Sequence, residues 1–77
     1  MPLTLEKAIR GRQYLIKEIR GGGPVLRVLD LGLVPGTVIE FIRCAPFGDP
    51  GQYKVRGFYL SLRKEEARHI LVEATGP

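Results

Sequence analysis

Between Val25 and Thr37 the chain reads Val-Leu-Arg-Val-Leu-Asp-Leu-Gly-Leu-Val-Pro-Gly-Thr. Val25, Val28 and Leu29 recur at i, i+3 and i+4, which predicts a short amphipathic helix over 25–31 with Arg27 and Asp30 on its polar stripe. Gly32 stands where that helix must stop. Glycine adopts the left-handed backbone of the C′ position without a Cβ clash, and Leu33 can then fold back on the helix as in a Schellman motif. Val34-Pro35-Gly36-Thr37 has Pro at i+1 and Gly at i+2, the chemistry of a type II turn. Thr37 opens an alternating segment. Gly32, Pro35 and Gly36 are therefore structural turn residues, required for their φ/ψ and not for chemistry. The neighbouring flank of Leu26 and Leu33, with Arg27 beside it, is a candidate contact surface.

Elsewhere the punctuation is frequent. Thr4 is an expected N-cap for a helical turn over Leu5–Arg10, stopped by Gly11, with Leu5 and Ile9 packing inward. Residues 13–20 read as a strand. A bulge near Lys17-Glu18 would put Ile16 and Ile19 on one face. Gly21-Gly22-Gly23-Pro24 is a loop. Thr37 to Arg43 alternates with apolar residues on both faces, so it is expected to be the most buried strand. Residues 45–51 hold two prolines and two glycines and form a loop around Phe47. Gln52–Arg56, with Tyr53 and Val55 inward, and Phe58–Leu62 form a hairpin turning near Gly57. Residues 63–67 make one helical turn, and His69–Glu73 is the last strand, with Ile70 and Val72 inward. About five short strands with two or three short helices close best as a small β-barrel, which leaves no long edge bare.

Composition narrows the class. The 77 residues make one domain, its core expected at about 3–73 and residues 74–77 a tail. A chain this short buries only ~60% of its unfolded surface. The single cysteine, Cys44, permits no internal disulfide. That usage fits a reducing, cytoplasmic setting. No targeting segment is expected from Met-Pro-Leu-Thr, and no run approaches the ~20 apolar residues of a membrane span. The net charge of +4 divides as +3 over residues 1–21, −1 over 22–52 and +2 over 53–77. A mild basic excess suits an acidic partner, nucleic acid or an anionic surface, and equally a plain soluble domain.

The inventory for catalysis is poor. His69 is the only histidine, and Ser61 has no neighbouring base. Glu65-Glu66 reads as a solvated helical face. His69 and Glu73, with Glu66 nearby, are weak candidates for a divalent cation, against the plainer reading of a polar strand edge. Cys44 reads as a small hydrophobe. No cofactor and no enzymatic activity are expected. Arg56, Phe58, Tyr59 and Arg63 interleave basic and aromatic residues as single-strand-binding barrels do, but neighbours on a strand face opposite ways, so one aromatic belongs to the core. Phe47, between two prolines, is either an exposed contact or a lid on the barrel.

Three blocks stand in order: Arg27–Leu33 with Pro35-Gly36-Thr37, Ala45-Pro46-Phe47-Gly48-Asp49-Pro50, and Leu60–Ala67 followed by Ile70 and Val72. Together, over about Leu3 to Glu73, the chain resembles the ferrous iron transport protein A (FeoA) family. The triglycine and Tyr59 are not part of that likeness. The resemblance implies an SH3-like small β-barrel that works in bacterial ferrous iron uptake. It implies binding to the cytoplasmic G-protein domain of a membrane iron permease, with no catalytic residues and no established iron site. The same domain ends iron- and manganese-dependent repressors, whose preceding helix-turn-helix has no counterpart here. Leu26, Arg27, Leu33 and Phe47 are the expected docking residues. Nucleic acid binding and membrane insertion are not expected, and the oligomeric state is open. The competing readings are a small basic barrel on nucleic acid and an SH3-like adaptor for proline-rich peptides, the latter thinly supported by six aromatics and no tryptophan.

Overall fold

Alternation with a period of two dominates the sequence, and the computed structural model, which describes residues 3–21 and 25–75, turns it into one antiparallel sheet. The strands are β1 (Leu3–Thr4), β2 (Gln13–Ile19), β3 (Val38–Cys44), β4 (Gly51–Val55), β5 (Phe58–Leu62) and β6 (Ile70–Ala74). Their order is β1-β6-β2-β3-β4-β5. Helix α1 (Val25–Asp30) lies between β2 and β3 in sequence, and α2 (Lys64–Ala67) between β5 and β6. The expected mainly β architecture is present with six strands rather than five. Residues 22–24 of the expected glycine loop, and the side chains of Val25 and Leu26, lie outside the described residues.

The core is built as the alternation demands. Ile16 on β2, Ile39 on β3, Tyr53 and Val55 on β4, Leu62 on β5, and Ile70 and Val72 on β6 are all buried. Each aliphatic side chain so buried contributes roughly 1.5–3 kcal/mol. Leu5, Val28, Leu33 and Ala67 from the helical segments close over them. The bulge in β2 falls where expected, the register against β6 shifting between Ile16 and Glu18.

The helix-stop unit is formed as the sequence predicts. Gly32 has φ +83°. Its N–H donates to Leu29 O at 2.9 Å, and Leu33 N–H donates to Val28 O at 3.3 Å, the paired bonds of a Schellman motif. Thr37 N–H donates to Val34 O at 3.1 Å across the turn, with Gly36 at φ +94°. The turn is then stitched to β2, since Gly36 N–H donates to Ile16 O and Ile16 N–H to Thr37 O, at 2.8 and 2.9 Å. A helix of six residues is unstable alone, so these bonds and the burial of Val28 and Leu33 hold α1 in place.

Several expectations are corrected. Leu5–Arg10 is not a helix with a Thr4 cap. Thr4 belongs to β1, and only Leu5–Lys7 turn, as a 3-10 helix without a side-chain cap. Ala8 is extended, and the Ile9 N–H is taken by the Tyr14 hydroxyl at 2.8 Å, which ends the helix early. Ile9 is consequently 61% exposed rather than packed. The most buried strand is β4, not β3, because β3 leaves Val38, Arg43 and Cys44 exposed. The expected small barrel-like fold is compatible with this sheet, although among the described residues hydrogen bonds do not close it and β1 and β5 are its two edges.

Candidate docking surface

The loop between β3 and β4 is held at both ends and projects in the middle. Ala45 N–H donates to Pro50 O at 3.0 Å and Gly48 N–H to Ala45 O at 2.7 Å. The Asp49 carboxylate accepts from the Lys64 backbone N–H at 2.9 Å, at the first turn of α2, and lies 3.8 Å from Arg63 Nη1. A carboxylate there satisfies an orphan donor of the helix and complements its dipole. Between these anchors Phe47 is 97% exposed, so it is a projecting ring and not a lid.

Helix α2 is gripped a second time. Glu66 accepts from the Arg63 backbone N–H at 2.8 Å, the N3 half of a capping box. Its other oxygen is ion-paired with Arg27 of α1. Glu66 is therefore buried and fully engaged, which corrects the expectation of a solvated Glu65-Glu66 face; only Glu65 is exposed. Arg27 keeps half its side chain in solvent beyond the pair. Leu29 and Val34, 41% and 40% exposed, continue the apolar character of the α1 flank.

Of the four expected docking residues, Phe47 and Arg27 lie on the surface, and α2 ties their two elements together through Asp49 and Glu66. Leu33 is wholly buried in the core, so it supports α1 from beneath and presents no surface. The Leu26 side chain lies outside the described residues. Sequence reasoning missed the links from Asp49 to Lys64 and from Glu66 to Arg27, 15 and 39 residues apart, which leave no local signal.

Under the Phe47 loop is a half-open cavity of about 200 Å³ lined by Glu6, Phe41, Cys44, Tyr53, Leu62 and Lys64 among others. Cys44, read from the sequence as a small hydrophobe, is exposed at the end of β3. The Phe41 and Tyr53 rings pack 5.2 Å apart between centres, tilted by 35°. Burial, and then the potential of Cys44, Asp49 and Glu6, push the Tyr53 phenol up to about 12. Gly51 sits so close that an added Cβ would stand 3.0 Å from the Tyr53 hydroxyl oxygen. The expected pairing of His69 with Glu73 on one strand face is not formed: His69 lies in the turn before β6, its carbonyl accepting from Arg20 N–H at 2.7 Å. Among the described residues no three His, Cys, Asp or Glu side chains gather as a metal site. None of the described helices is long and apolar enough to cross a membrane.

Comparison with known proteins shows the family. The family model for the FeoA domain matches residues 3–74. A Porphyromonas gingivalis Fe(2+) transport protein A/Fe(2+) transporter FeoB fusion protein is 36% identical over 72 residues, covering 92% of this chain. The chain spans only 8% of that relative's length. A FeoA-like protein from Clostridium acetobutylicum superposes with a TM-score of 0.92 at 34% identity, covering 99% of this chain and 90% of the other. The zinc complex of Stenotrophomonas maltophilia FeoA, a prokaryotic SH3 domain protein, shares the fold with a TM-score of 0.81 at 21% identity, covering 92% and 89% of the two chains.

Proposed function

The chain belongs to the FeoA domain family, and from that premise we propose that it is a cytoplasmic accessory of ferrous iron uptake that acts by binding the GTP-dependent iron permease. The observation carrying this reading is the fused relative, in which a FeoA segment and the transporter are one polypeptide. A linker makes such an encounter intramolecular at high effective concentration. Linked or not, a FeoA domain needs a surface through which to meet the transporter. The Phe47 loop and the Arg27 flank of α1 suit the task, because an exposed aromatic and a guanidinium on an ordered frame are the residue types that dominate interface energies. Leu26, next to Arg27, belongs to the same proposed surface. Iron in this reading is the permease's cargo, and the accessory regulates without catalysis. The test is capture of the permease's cytoplasmic G-protein domain by the wild type and by Phe47→Ala and Arg27→Ala. Retention by the wild type and loss by both variants is expected; equal retention by all three would place the docking face elsewhere.

A further inference from the structure

Strand β5 is an open edge with an unusual composition. Its five residues, Phe58-Tyr59-Leu60-Ser61-Leu62, carry no charge and no proline. Among the described residues β4 is its only hydrogen-bonded neighbour. Natural edge strands are normally blunted by lysine, proline or a bulge, and β5 has none of these within it. Phe58 and Tyr59 remain 47% and 58% exposed.

The geometry states which backbone groups are free. Arg56 and Gly57 form a two-residue turn, both at positive φ, 50° and 86°. Val55 and Phe58 close it, followed by the pairs Tyr53–Leu60 and Gly51–Leu62. In a two-residue hairpin the closing pair exchanges hydrogen bonds, and so does every second pair after it. Phe58, Leu60 and Leu62 therefore bond inward to β4. The N–H and C=O groups of Tyr59 and Ser61 point away from the sheet.

Charge decides what can fill this edge. Arg56 precedes β5, Arg63 and Lys64 follow it, and Lys54 lies over the Tyr59 ring at 5.7 Å from its centre. A second copy pairing antiparallel in the register of greatest overlap sets Leu60 against Leu60. That register opposes Arg56 to Lys64 and Gly57 to Arg63, so it gathers like charges at both ends. An apolar strand with acidic ends meets complementary charge instead.

We propose that β5 is a strand-addition site for an extended peptide segment with apolar residues at alternate positions and acidic residues on both sides. The backbone groups of Tyr59 and Ser61 supply main-chain bonds, Phe58 and Leu60 meet the apolar side chains, and Arg56, Arg63 and Lys64 read the acidic flanks. Arg63 and Lys64 border the Phe47 loop through Asp49, but the outward backbone of Tyr59 and Ser61 belongs to β5, and the proposal does not rest on the permease reading.

The probe is the synthetic peptide Asp-Glu-Val-Thr-Val-Thr-Val-Glu-Asp, with a Lys-flanked counterpart, titrated while backbone amides are followed by NMR. The acidic probe is expected to shift the Tyr59 and Ser61 amides, and the basic one to bind at least about tenfold more weakly. Ser61→Pro removes an outward N–H while sparing the β4 ladder, and is expected to abolish binding. The double change Arg56→Glu with Lys64→Glu is expected to reverse the preference between the two probes, which unfolding cannot do. No amide shift at millimolar probe, equal binding of both peptides, or shifts centred on residues 45–48 would overturn the proposal.

Discussion

Gly32 shows how much rests on one backbone conformation. Its φ of +83° disfavours any L side chain, and an added Cβ would lie 3.0 Å from Arg56 Nη1. Arg56 can swing aside, but only by giving up its 3.3 Å bond to the Thr37 hydroxyl, in a residue that is otherwise buried. Gly32→Ala is therefore expected to cost about 1–2 kcal/mol, read as a melting temperature lower by roughly 5–15 °C. Tyr53 makes a second prediction at this scale. The fold favours the neutral phenol, whose pKa rises from 10.0 to about 12. Its contribution is complete below pH 10 and is lost as the pH climbs through the window from 10 to about 12, where the unfolded phenol ionises first. The loss should amount to roughly 1–3 kcal/mol. Tyr53→Phe is expected to flatten denaturant-measured stability across that window.

The elements differ in how far local sequence specifies them. Residues 25–37 were readable because every determinant, from Val25 to Thr37, sits within one helical turn or one tight turn of its partner. The β2 bulge and the β4–β5 hairpin were readable for the same reason. β1 was not: two residues carry no period, and Leu3 becomes a strand only by pairing with Val72. The early end of the first helical turn depends on Tyr14, whose ring position is set by the sheet. Helix α2 has four residues and no strength of its own, so its order is borrowed through Asp49 and Glu66. Asp49→Ala is expected to remove about 1 kcal/mol and to speed amide exchange both at Lys64 and in the Phe47 loop. Glu66→Gln should loosen α2 from α1, with a stability loss of about 1–3 kcal/mol that Arg27→Gln in the same chain partly offsets.

At the scale of the molecule, an antiparallel sheet with a buried inner face supports a surface assembled from its connections. The two exposed residues of the expected docking set, Arg27 and Phe47, are 20 positions apart in sequence, and neither position reveals the other. What joins them is α2, held on one side by the loop and on the other by α1. The likeness in three blocks made the family legible, but it could not separate Leu33, which the core consumes, from Phe47, which the core leaves out. Burial is a property of the sheet and helices together, and an apolar residue in a loop reads the same in either case.

The most direct measurement is a calorimetric titration of the permease's cytoplasmic G-protein domain into the wild type and Phe47→Ala, with melting curves of both. Because Phe47 is 97% exposed, its loss should leave the melting temperature almost unchanged. Saturable binding by the wild type, weakened about thirtyfold in Phe47→Ala, is the outcome expected of an aromatic anchor. Undiminished affinity of the equally stable variant, or no binding by the wild type, would contradict the proposal that this chain works by docking through that loop.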